Sequence, residues 1–498
     1  MTMLVGEGFF DAARKAPDKI AVVDGETSFT YRTLAEKARR FSVIADGMKA
    51  RRVALLCDNS ADFLAMWFGA VRAGAVAFVM EPKWPATTVA AMVSAHEPHV
   101  LVTSRTEPEI IAAARACGAE IIMTGELNGK LSSADPEIPM TSRATPEMPF
   151  LVVFTSGTTG TPKAVIRSHQ SWIASFAVSA KHLGTDSDSR VLAPGPLSHG
   201  LSLYAAVEAL CCGATVGIQR KFDVPACISA LNSGAFTTLV VAPTLLDLIT
   251  SGAGSAAGSV ELSAARRIIT AGAKLSPEVA ARTHRIFPRA ELIEYYGATE
   301  LSFVAIANHR EDCPPSSVGR ACATAEIAIR DNRGHSMDRN AVGTVWVASP
   351  MLSAGYVGPH DGGGFHRDGR WATVGDQGFL DGDGYLHLAG RKGDMLITGG
   401  LNVYPSEIEN VIAALPGVRA CAVAGLDDPR WGSIVGVVVV PDGTVRFDPP
   451  AARISCAKYL ADYKIPRRWV VTDSLPLMPS GKINRAAVAE ILHSQSPS

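Results

Sequence analysis

The sequence predicts an α/β protein with a large N-terminal domain of layered α/β sheets, which includes a small β-barrel-like part, and a small α+β C-terminal domain. Three observations support this prediction. The 498 residues exceed what one hydrophobic core usually supports. Through most of the chain, apolar strand-like runs alternate with alanine-rich helical stretches. Later, short alternating runs are separated by Gly-Asp turns.

The N-terminal domain is predicted over residues 1–392. Runs such as "RVALLC", "HVLVTS" and "FLVVFTS" each precede a helical stretch, which indicates parallel strands. The segment from Phe63 to Met80 is the strongest candidate for a membrane span, but Arg72 and Gly74 interrupt it. We therefore expect a buried helix followed by a strand. After about Ser316, the short alternating runs predict the barrel-like part.

The C-terminal domain is predicted over residues 393–498. Its clearest helix is "PSEIENVIAALPGV", which begins with Pro405 and Ser406 and ends at Pro416 and Gly417. Three strand-like runs follow that helix. The final residues, "HSQSPS", are expected to be disordered.

Composition excludes several classes of function. Lys and Arg number 47 and Asp and Glu 48, which gives a net charge of −1, and there is no long block of one sign, so nucleic acid is not a main partner. The nine cysteines show no CxxC spacing, which favours free thiols in a reducing compartment. The N-terminus lacks a basic region followed by an apolar one, so we expect a cytoplasmic protein with no secretory signal and no integral membrane segment.

The segment "FTSGTTGTPK" follows a strand and is rich in hydroxyls and glycine. Backbone N–H groups and hydroxyls in such a turn can surround an anion, and Lys163 adds a positive charge. The spacing of the common phosphate-binding loop is not met. Taken alone, this segment is either an ordinary loop or a phosphate site. Its candidate phosphate-binding residues are Thr155, Ser156, Gly157, Thr158, Thr159, Gly160 and Lys163.

Four further stretches accompany this loop in order: "YYGATE" at 295–300, "TVGDQG" at 373–378, "GRKGDMLITGGLNVYPSEIE" at 390–409 and "PSGKINR" at 479–485. With the loop they closely resemble the adenylate-forming (ANL) superfamily, which includes acyl-CoA synthetases (AMP-dependent ligases), peptide-synthetase adenylation domains and luciferases. The resemblance covers about 480 residues. It implies ATP-dependent activation of a carboxylic acid to an acyl-adenylate with pyrophosphate release, then transfer to the thiol of CoA.

The resemblance implies a role for each polar residue of the motifs. The loop with Lys163 would hold the β- and γ-phosphates of ATP, and Thr299 would act on the α-phosphate. Glu300 would bind Mg²⁺. Asp376 would accept hydrogen bonds from the ribose, supported by Arg391. The adenine site would be formed by Tyr296, Gly297, Gly272 and Ala273.

His199 matches the position that gates the acyl site in this superfamily. Amino-acid-activating members place an aspartate at the next position, where this chain has Gly200, so a free α-amino acid is a poor candidate. No arginine in these stretches offers a site for a second carboxylate, which argues against diacids. The predicted pocket suits a medium-sized aliphatic or aryl acid. Its walls are predicted to include His199, Gly200, Leu201, Ser202, Tyr204, Ser302 and Phe303.

The resemblance implies that the C-terminal domain is mobile, and its motifs imply three further sites. Lys482 resembles the lysine that reaches the carboxylate and the α-phosphate during adenylation, so it joins Thr299 and His199 as a catalytic candidate. Gly399 and Gly400 match the lining of the CoA tunnel. The hinge position, usually Asp or Lys, is Gly393 here; glycine tolerates the dihedral change, but a polar latch from that side chain is missing, which puts the speed of the second half-reaction in doubt.

Several alternatives remain open at this stage. A carrier-protein phosphopantetheine would use the same tunnel as CoA, so the chain could instead be a stand-alone adenylating enzyme that loads an acyl carrier protein. A catalytically silent nucleotide-binding homologue is a third reading. The sequence identifies neither the acid nor the oligomeric state, monomer or homodimer.

Overall fold

The structure is a computed structural model. It describes residues 4–138, 144–155, 162–255, 261–310, 313–358, 364–391, 396–398, 401–428, 431–443, 445, 447–478 and 483–494.

The α-helices of the described residues are numbered α1 to α14. Before residue 290 they are, in order, Glu7–Lys15, Tyr31–Gly47, Ala61–Arg72, Ala86–His96, Pro108–Ala116, Leu127–Ser133, His169–His182, Gly200–Cys211, Val224–Asn232, Pro243–Ser255 and Pro277–Ile286. After it, α12 to α14 are Pro405–Ala413, Pro449–Cys456 and Arg485–Ser494.

The strands are numbered β1 to β27 in the same way. Strands β1 to β15 are Ile20–Asp24, Thr27–Thr30, Arg52–Leu56, Val76–Val79, Val100–Thr103, Glu120–Met123, Pro149–Thr155, Lys163–Ser168, Arg190–Ala193, Thr215–Ile218, Thr238–Val241, Arg267–Ala271, Glu291–Ala298, Ser302–Asn308 and Arg320–Ala321. Strands β16 to β22 are Glu326–Arg330, Gly343–Ala348, Gly355–Tyr356, His366–Asp368, Trp371–Thr373, Asp376–Leu380 and Leu386–Arg391. Strands β23 to β27 are Leu396–Thr398, Leu401–Val403, Val418–Asp428, Gly432–Pro441 and Arg468–Val471.

Two large sheets form most of the N-terminal part. Among the described residues, one sheet has nine strands in the order β15-β14-β13-β12-β11-β9-β10-β1-β2, and the other has seven in the order β18-β8-β7-β4-β3-β5-β6. The central strands of both are parallel, as the alternation of strand-like and helical runs predicted. One continuous hydrophobic cluster contains residues of both sheets and of α2, α3 and α8. The helices therefore lie between the sheets in a layered α/β arrangement.

The segment with the strongest apolar run forms α3 and β4. Ser60 caps the helix by accepting a hydrogen bond from the backbone N–H of Phe63 at 3.0 Å. Ten of the twelve residues of α3 are buried, as expected for a helix that is apolar on every side. The predicted buried helix and strand are thus confirmed. Of the helices that the structure describes, none is long and apolar enough to cross a bilayer.

The remaining strands of the N-terminal part are short and antiparallel. In the described residues, β19-β20-β17-β21-β22 form a sheet to which β16 adds by pairing with β17. This sheet packs through Val345, Val347 and Leu386 against Leu301 and Val304. It corresponds to the antiparallel part that the Gly-Asp turns predicted.

The C-terminal unit has its own sheet, in which β24, β23, β26 and β25 are adjacent and β27 pairs with β26. The long hairpin β25–β26 separates two hydrophobic clusters, one beneath α12 and α13 and the other beneath α14. This is the expected small α+β fold. One detail of the prediction was wrong: His493 and Ser494 continue α14 and are not part of a disordered tail.

The change from one sheet to the next occurs between Arg391, the last residue of β22, and Leu396, the first of β23. The predicted boundary between residues 392 and 393 falls in this interval. That boundary, like the hinge role of Gly393, stays a prediction because residues 392–395 are not among those described.

Candidate active site

A cavity of about 270 Å³ opens at the carboxyl ends of the strands in the two large sheets. Thr155 at the end of β7, Ala271 at the end of β12 and Ala298 at the end of β13 line it, as does the N-terminal end of α8. Open α/β sheets bind ligands at this edge. Because several motif residues also meet there, the cavity is the candidate active site.

Most predicted site residues that the structure describes line this cavity. From the predicted nucleotide site they are Thr155, Gly272, Ala273, Gly297 and Thr299. From the predicted acyl pocket they are His199, Gly200, Leu201, Tyr204, Ser302 and Phe303. Ser202 is buried beside Gly195 and is not among the described residues that line the cavity. The structure thus brings the residues together, while their individual roles remain predictions.

Thr299 and Glu300 are the two central residues of the tight turn that joins β13 to β14. The turn is closed by a hydrogen bond from the N–H of Leu301 to the carbonyl of Ala298 at 3.0 Å. Just before the turn, a Cβ atom at Gly297 in β13 would lie 2.1 Å from the carbonyl oxygen of Ser302. Only glycine fits at that position without moving the turn.

Glu300 lies beside the end of the phosphate-loop segment. Its side chain is buried, and Oε1 accepts a hydrogen bond from the hydroxyl of Tyr356 at 2.8 Å. The Nζ atom of Lys163 lies 5.4 Å from the centre of the Tyr356 ring, a cation–π distance. A carboxylate and an ammonium group are therefore both arranged around one tyrosine.

Tyr296 and Asp376 form a pair at the junction with the antiparallel sheet. The hydroxyl of Tyr296 donates to Oδ2 of Asp376, whose side chain is buried. Asp376 is paired in register with Arg391 across β21 and β22. The three motif residues predicted to contact the nucleoside are thus neighbours, although they come from separate parts of the sequence.

Glu294 supports the wall formed by Gly272 and Ala273 through hydrogen bonds to the next two residues. This carboxylate accepts hydrogen bonds from Lys274 Nζ at 2.6 Å and from the N–H of Leu275 at 2.8 Å. Burial alone would raise its pKa, but the pKa of Glu294 is lowered because His309 and Lys274 stabilise the carboxylate. Glu294 fixes the segment that follows Gly272.

Sequence reasoning missed Glu81, which contacts His199. The buried carboxylate accepts a hydrogen bond from the hydroxyl of Ser198 at 2.6 Å, and Oε2 lies 3.1 Å from Nε2 of His199. The N–H of Lys83 donates to the other oxygen at 3.0 Å. Burial favours the protonated form, yet the pKa of Glu81 is lowered, because His199 and Ser198 stabilise the carboxylate. No motif around "VMEPKWP" signals this contact.

Arg167 was also missed, although it lines the cavity. It lies on β8, and its guanidinium donates to the carbonyl of Thr299 at 2.7 Å and to that of Met351 at 2.8 Å. Burial lowers the pKa of Arg167 to about 10. Because its guanidinium holds main-chain carbonyls, Arg167 is a support for the Thr299 turn.

The far end of the cavity is aromatic. Tyr204 contacts Trp172 with ring centres 5.3 Å apart and Phe303 at 5.3 Å, and Phe303 contacts Tyr295 at 4.6 Å. Behind Tyr204, Glu208 is buried on the next turn of α8. Burial raises the pKa of the Glu208 carboxyl to about 7. The pocket is thus apolar and aromatic on its surface, with a carboxyl group beneath.

Several predicted residues lie outside those that the structure describes: Ser156, Gly157, Thr158, Thr159, Gly160, Gly393, Gly399, Gly400 and Lys482. The side chain of Arg391 is likewise not described. Met478, four residues before Lys482, does line the cavity. The C-terminal unit therefore reaches the candidate active site.

Comparison with known proteins agrees with this arrangement. Residues 9–357 match the family model of AMP-binding enzymes, and residues 407–482 match that of the C-terminal domain of AMP-binding enzymes. An uncharacterized acyl–CoA ligase of Bacillus subtilis (strain 168) is 32% identical, with 98% of each chain covered. A feruloyl-CoA synthase of Amycolatopsis sp. is 31% identical, with 96% of each chain covered.

The fold has a close counterpart among solved structures. ATP-bound MatB from Rhodopseudomonas palustris superposes with a TM-score of 0.87 at 24% identity, covering 98% of this chain and 99% of that one. The expected α/β class with a small C-terminal α+β unit is therefore confirmed.

Proposed function

The chain belongs to the AMP-binding enzyme family and is an AMP-forming acid–CoA ligase, and we propose that the acid it activates is an aryl acid. The observation that carries the proposal is the cavity itself. Its far end is lined by Trp172, Tyr204, Tyr295 and Phe303, whereas its other end is formed by the Thr299 turn and by Gly272. A flat ring fits between the aromatic walls, and a relative of 31% identity is named a feruloyl-CoA synthase.

At the nucleotide end, Thr299 donates its hydroxyl to the α-phosphate of ATP. In adenylation the substrate carboxylate attacks the α-phosphorus, the bond between the α-phosphorus and the bridging oxygen breaks, and pyrophosphate leaves. Donors that follow the departing charge lower the barrier. Residues 156–160 and Lys163 bind the leaving pyrophosphate, and Lys482 neutralises the two anions that must approach each other.

The nucleoside is bound by the wall after β12 and by Asp376. The ring of Tyr296 lies against adenine while its hydroxyl holds the Asp376 carboxylate, which accepts hydrogen bonds from the ribose. The backbone of Gly272 and Ala273 forms the opposite side. Glu294 keeps that backbone in place through Lys274 and Leu275.

The family implies Mg²⁺, and Glu300 fits it. Within the described residues no group of three His, Cys, Asp or Glu side chains could hold a metal alone. One buried carboxylate is nevertheless the kind of protein ligand that Mg²⁺ takes when phosphates supply other ligands. Bound there, Mg²⁺ would neutralise phosphate charge. Tyr356 orients Glu300 by donating a hydrogen bond to it.

At the acyl end, His199 and Gly200 stand where the carboxylate enters. A Cβ atom at Gly200 would lie 3.9 Å from Oγ1 of Thr299, so the N-terminal end of α8 adjoins the reacting atoms. With glycine at this position there is room for the acid but no carboxylate for an α-ammonium group. The CoA thiol then attacks the acyl carbon of the adenylate and AMP leaves.

The test is a pyrophosphate-release assay with a panel of aliphatic and aryl acids, run with and without CoA. We expect aryl acids to give the highest kcat/KM for pyrophosphate release and a thioester only with CoA. Preference for aliphatic acids would contradict the aryl assignment. Transfer to a phosphopantetheinylated carrier protein and not to CoA would overturn the choice of acceptor.

A further inference from the structure

Among the described residues that line the cavity, His199 is the one histidine. The other titratable side chains that face it from the walls of the cavity are Glu81, Arg167, Tyr204 and Tyr295. Burial raises the pKa of both tyrosines and lowers that of Arg167 only to about 10, so these three keep their charge states near neutral pH. Histidine is the side chain that can take up and release a proton there.

The ring of His199 is divided between the cavity and the protein interior. Its Nε2 atom is buried and lies 3.1 Å from Oε2 of Glu81, while 28% of the side chain stays exposed. His199 is the N-cap residue of α8, yet its side chain makes no capping hydrogen bond. Nδ1 is therefore the ring nitrogen that remains for a group inside the cavity.

Glu81 is fixed on its side of this contact. Its carboxylate accepts hydrogen bonds from the hydroxyl of Ser198 at 2.6 Å and from the N–H of Lys83 at 3.0 Å. The loop that carries Glu81 is held by Arg105, whose guanidinium donates to the carbonyl of Trp84 at 2.5 Å. A carboxylate held in this way orients an imidazole ring and stabilises it when the ring accepts a proton.

The transfer of the acyl group to CoA has a proton to remove. An alkyl thiol with a pKa of about 8.5 is mostly protonated at pH 7, whereas the thiolate is the nucleophile. The other product, AMP, leaves as a phosphate anion and needs no proton. A Cβ atom at Gly200 would lie 3.9 Å from Oγ1 of Thr299, where we place the α-phosphate. The preceding residue, His199, is therefore at the end of the cavity where the thiol must arrive.

We propose that His199 is the general base that takes the proton of the CoA thiol, and that Glu81 is the residue that positions it. The S–H proton passes to Nδ1 as the sulfur forms its bond to the acyl carbon. The bond between that carbon and the phosphate oxygen breaks, and AMP leaves with the electron pair. Nε2 keeps its proton toward Glu81 throughout, and Nδ1 then releases the thiol proton to solvent. This inference rests on the acid–CoA ligase function and does not depend on which acid is activated.

The experiment isolates thioester formation by supplying the acyl-adenylate. Benzoyl-adenylate and hexanoyl-adenylate represent the two classes of acid, and the one that reacts faster is mixed with saturating CoA and full-length enzyme from about pH 6.5 to about pH 9.5. At pH 7 we expect the single-turnover rate constant to fall about 100-fold in His199→Asn and about tenfold in Glu81→Gln. Both deficits relative to wild type should shrink to within about threefold at the alkaline end, because the thiol then ionises without a base.

Leu201→Ala is the matched control. Leu201 lines the same cavity, two residues further along the chain, and has no group that titrates. Any loss of rate in this variant should be the same at every pH. Circular dichroism at each pH checks that the proteins compared are folded.

A deficit in His199→Asn that stays constant from neutral to alkaline pH would overturn the base and leave the ligase function intact, because a ring that only shapes the pocket acts alike at every pH. Wild-type rate constants in both variants at pH 7 would also overturn it. If the wild type releases pyrophosphate but forms no thioester from either adenylate, CoA is not the acceptor and the base fails with it.

Discussion

At the scale of single residues, the site depends on carboxylates that the motifs do not contain. Glu81 holds His199 and Ser198, Glu294 holds the segment after Gly272, and Glu208 lies behind Tyr204. Each is buried, so loss of a polar partner costs more than it would for a carboxylate at the surface. In the proposed function the motif residues contact the substrates, and these carboxylates position the motif residues.

Replacement of Glu81 by Gln should affect acid use more than nucleotide use. His199 would lose its charged neighbour, so we expect kcat/KM for the acid to fall about tenfold, an effect of the size expected for one hydrogen bond to a charged group. The KM for ATP should stay within about twofold, because the partners that the structure describes for the Glu81 side chain are Lys83, Ser198 and His199. Steady-state kinetics in each substrate measure both. A rise confined to the KM for ATP would contradict the role of Glu81.

The same variant has a defined dependence on pH. The pKa of Glu81 is lowered in the folded state, so the ionised carboxylate stabilises the fold at neutral pH. This contribution is lost as the pH falls below about 4, the pKa of the unfolded chain, and then through the lower pKa of the folded state. The difference in unfolding free energy between wild type and Glu81→Gln, about 1–3 kcal/mol at pH 7, should therefore shrink at acid pH. Denaturant unfolding at several pH values measures it.

Glu208 should show the opposite pH dependence. Its pKa is raised to about 7 by burial, so the folded state resists its ionisation and loses stability as pH rises from about 4 through 7. Tyr204, Tyr295, Cys211 and Cys212 surround it, but burial raises the pKa of each, so they stay neutral over this interval. Relative to wild type, the free energy of unfolding of Glu208→Gln should rise by up to about 3 kcal/mol between pH 5 and pH 8. Denaturant unfolding at several pH values measures it. If the difference in unfolding free energy between the two proteins does not change with pH, Glu208 is not the group that titrates.

At the scale of elements, the β13–β14 hairpin is the part on which the chemistry depends most. The loop between its strands presents Thr299 and Glu300 together, and Arg167 on β8 donates a hydrogen bond to the carbonyl of Thr299. The two residues that we propose to act at the α-phosphate and at Mg²⁺ are therefore positioned by one loop. A small displacement of the turn should affect both.

Gly297→Ala tests this dependence. The added Cβ atom would lie 2.1 Å from the carbonyl oxygen of Ser302, so the hairpin must shift. We expect kcat for pyrophosphate release to fall about 100-fold, with the protein still folded by circular dichroism. Gly47→Ala is the matched control, since a Cβ atom there meets no heavy atom within 4 Å. Unchanged kcat in Gly297→Ala would show that the turn tolerates the shift.

At the scale of the whole molecule, the C-terminal unit packs against the N-terminal part at the candidate active site. The hydroxyl of Ser406 donates to the carbonyl of Ala389 at 2.5 Å, the ring of Tyr404 lies against Gly390, and Met478 lines the cavity. This arrangement brings Met478, four residues before Lys482, to the site, as the proposed role of Lys482 in adenylation requires.

Lys482→Ala should therefore separate the two half-reactions. Adenylation brings two anions together, and the variant lacks the ammonium group that neutralises them. Its rate of pyrophosphate release should therefore fall by about 100-fold or more. Thioester formation from a supplied acyl-adenylate should fall much less. Lys458→Ala, an exposed lysine in the same unit, is the control. Equal losses in both half-reactions would contradict the assigned role.

The sequence predicted the layered fold and the motif residues because both are local. An apolar run such as "FLVVFT" indicates a strand within six residues, and "YYGATE" can be recognised as it stands. Glu81 lies 117 residues from Ser198 and Arg167 lies 132 from Thr299. Contacts over such separations depend on the packing of two sheets, and no periodicity or spacing records them.

The division of labour between α8 and the β13–β14 hairpin has a practical consequence for enzyme engineering. Leu201, Tyr204 and Glu208 share one face of a single helix, whereas the turn with Thr299 and Glu300 belongs to a different element. A combinatorial library that varies only those three residues would sample specificities for new acids without changing the residues proposed to bind ATP.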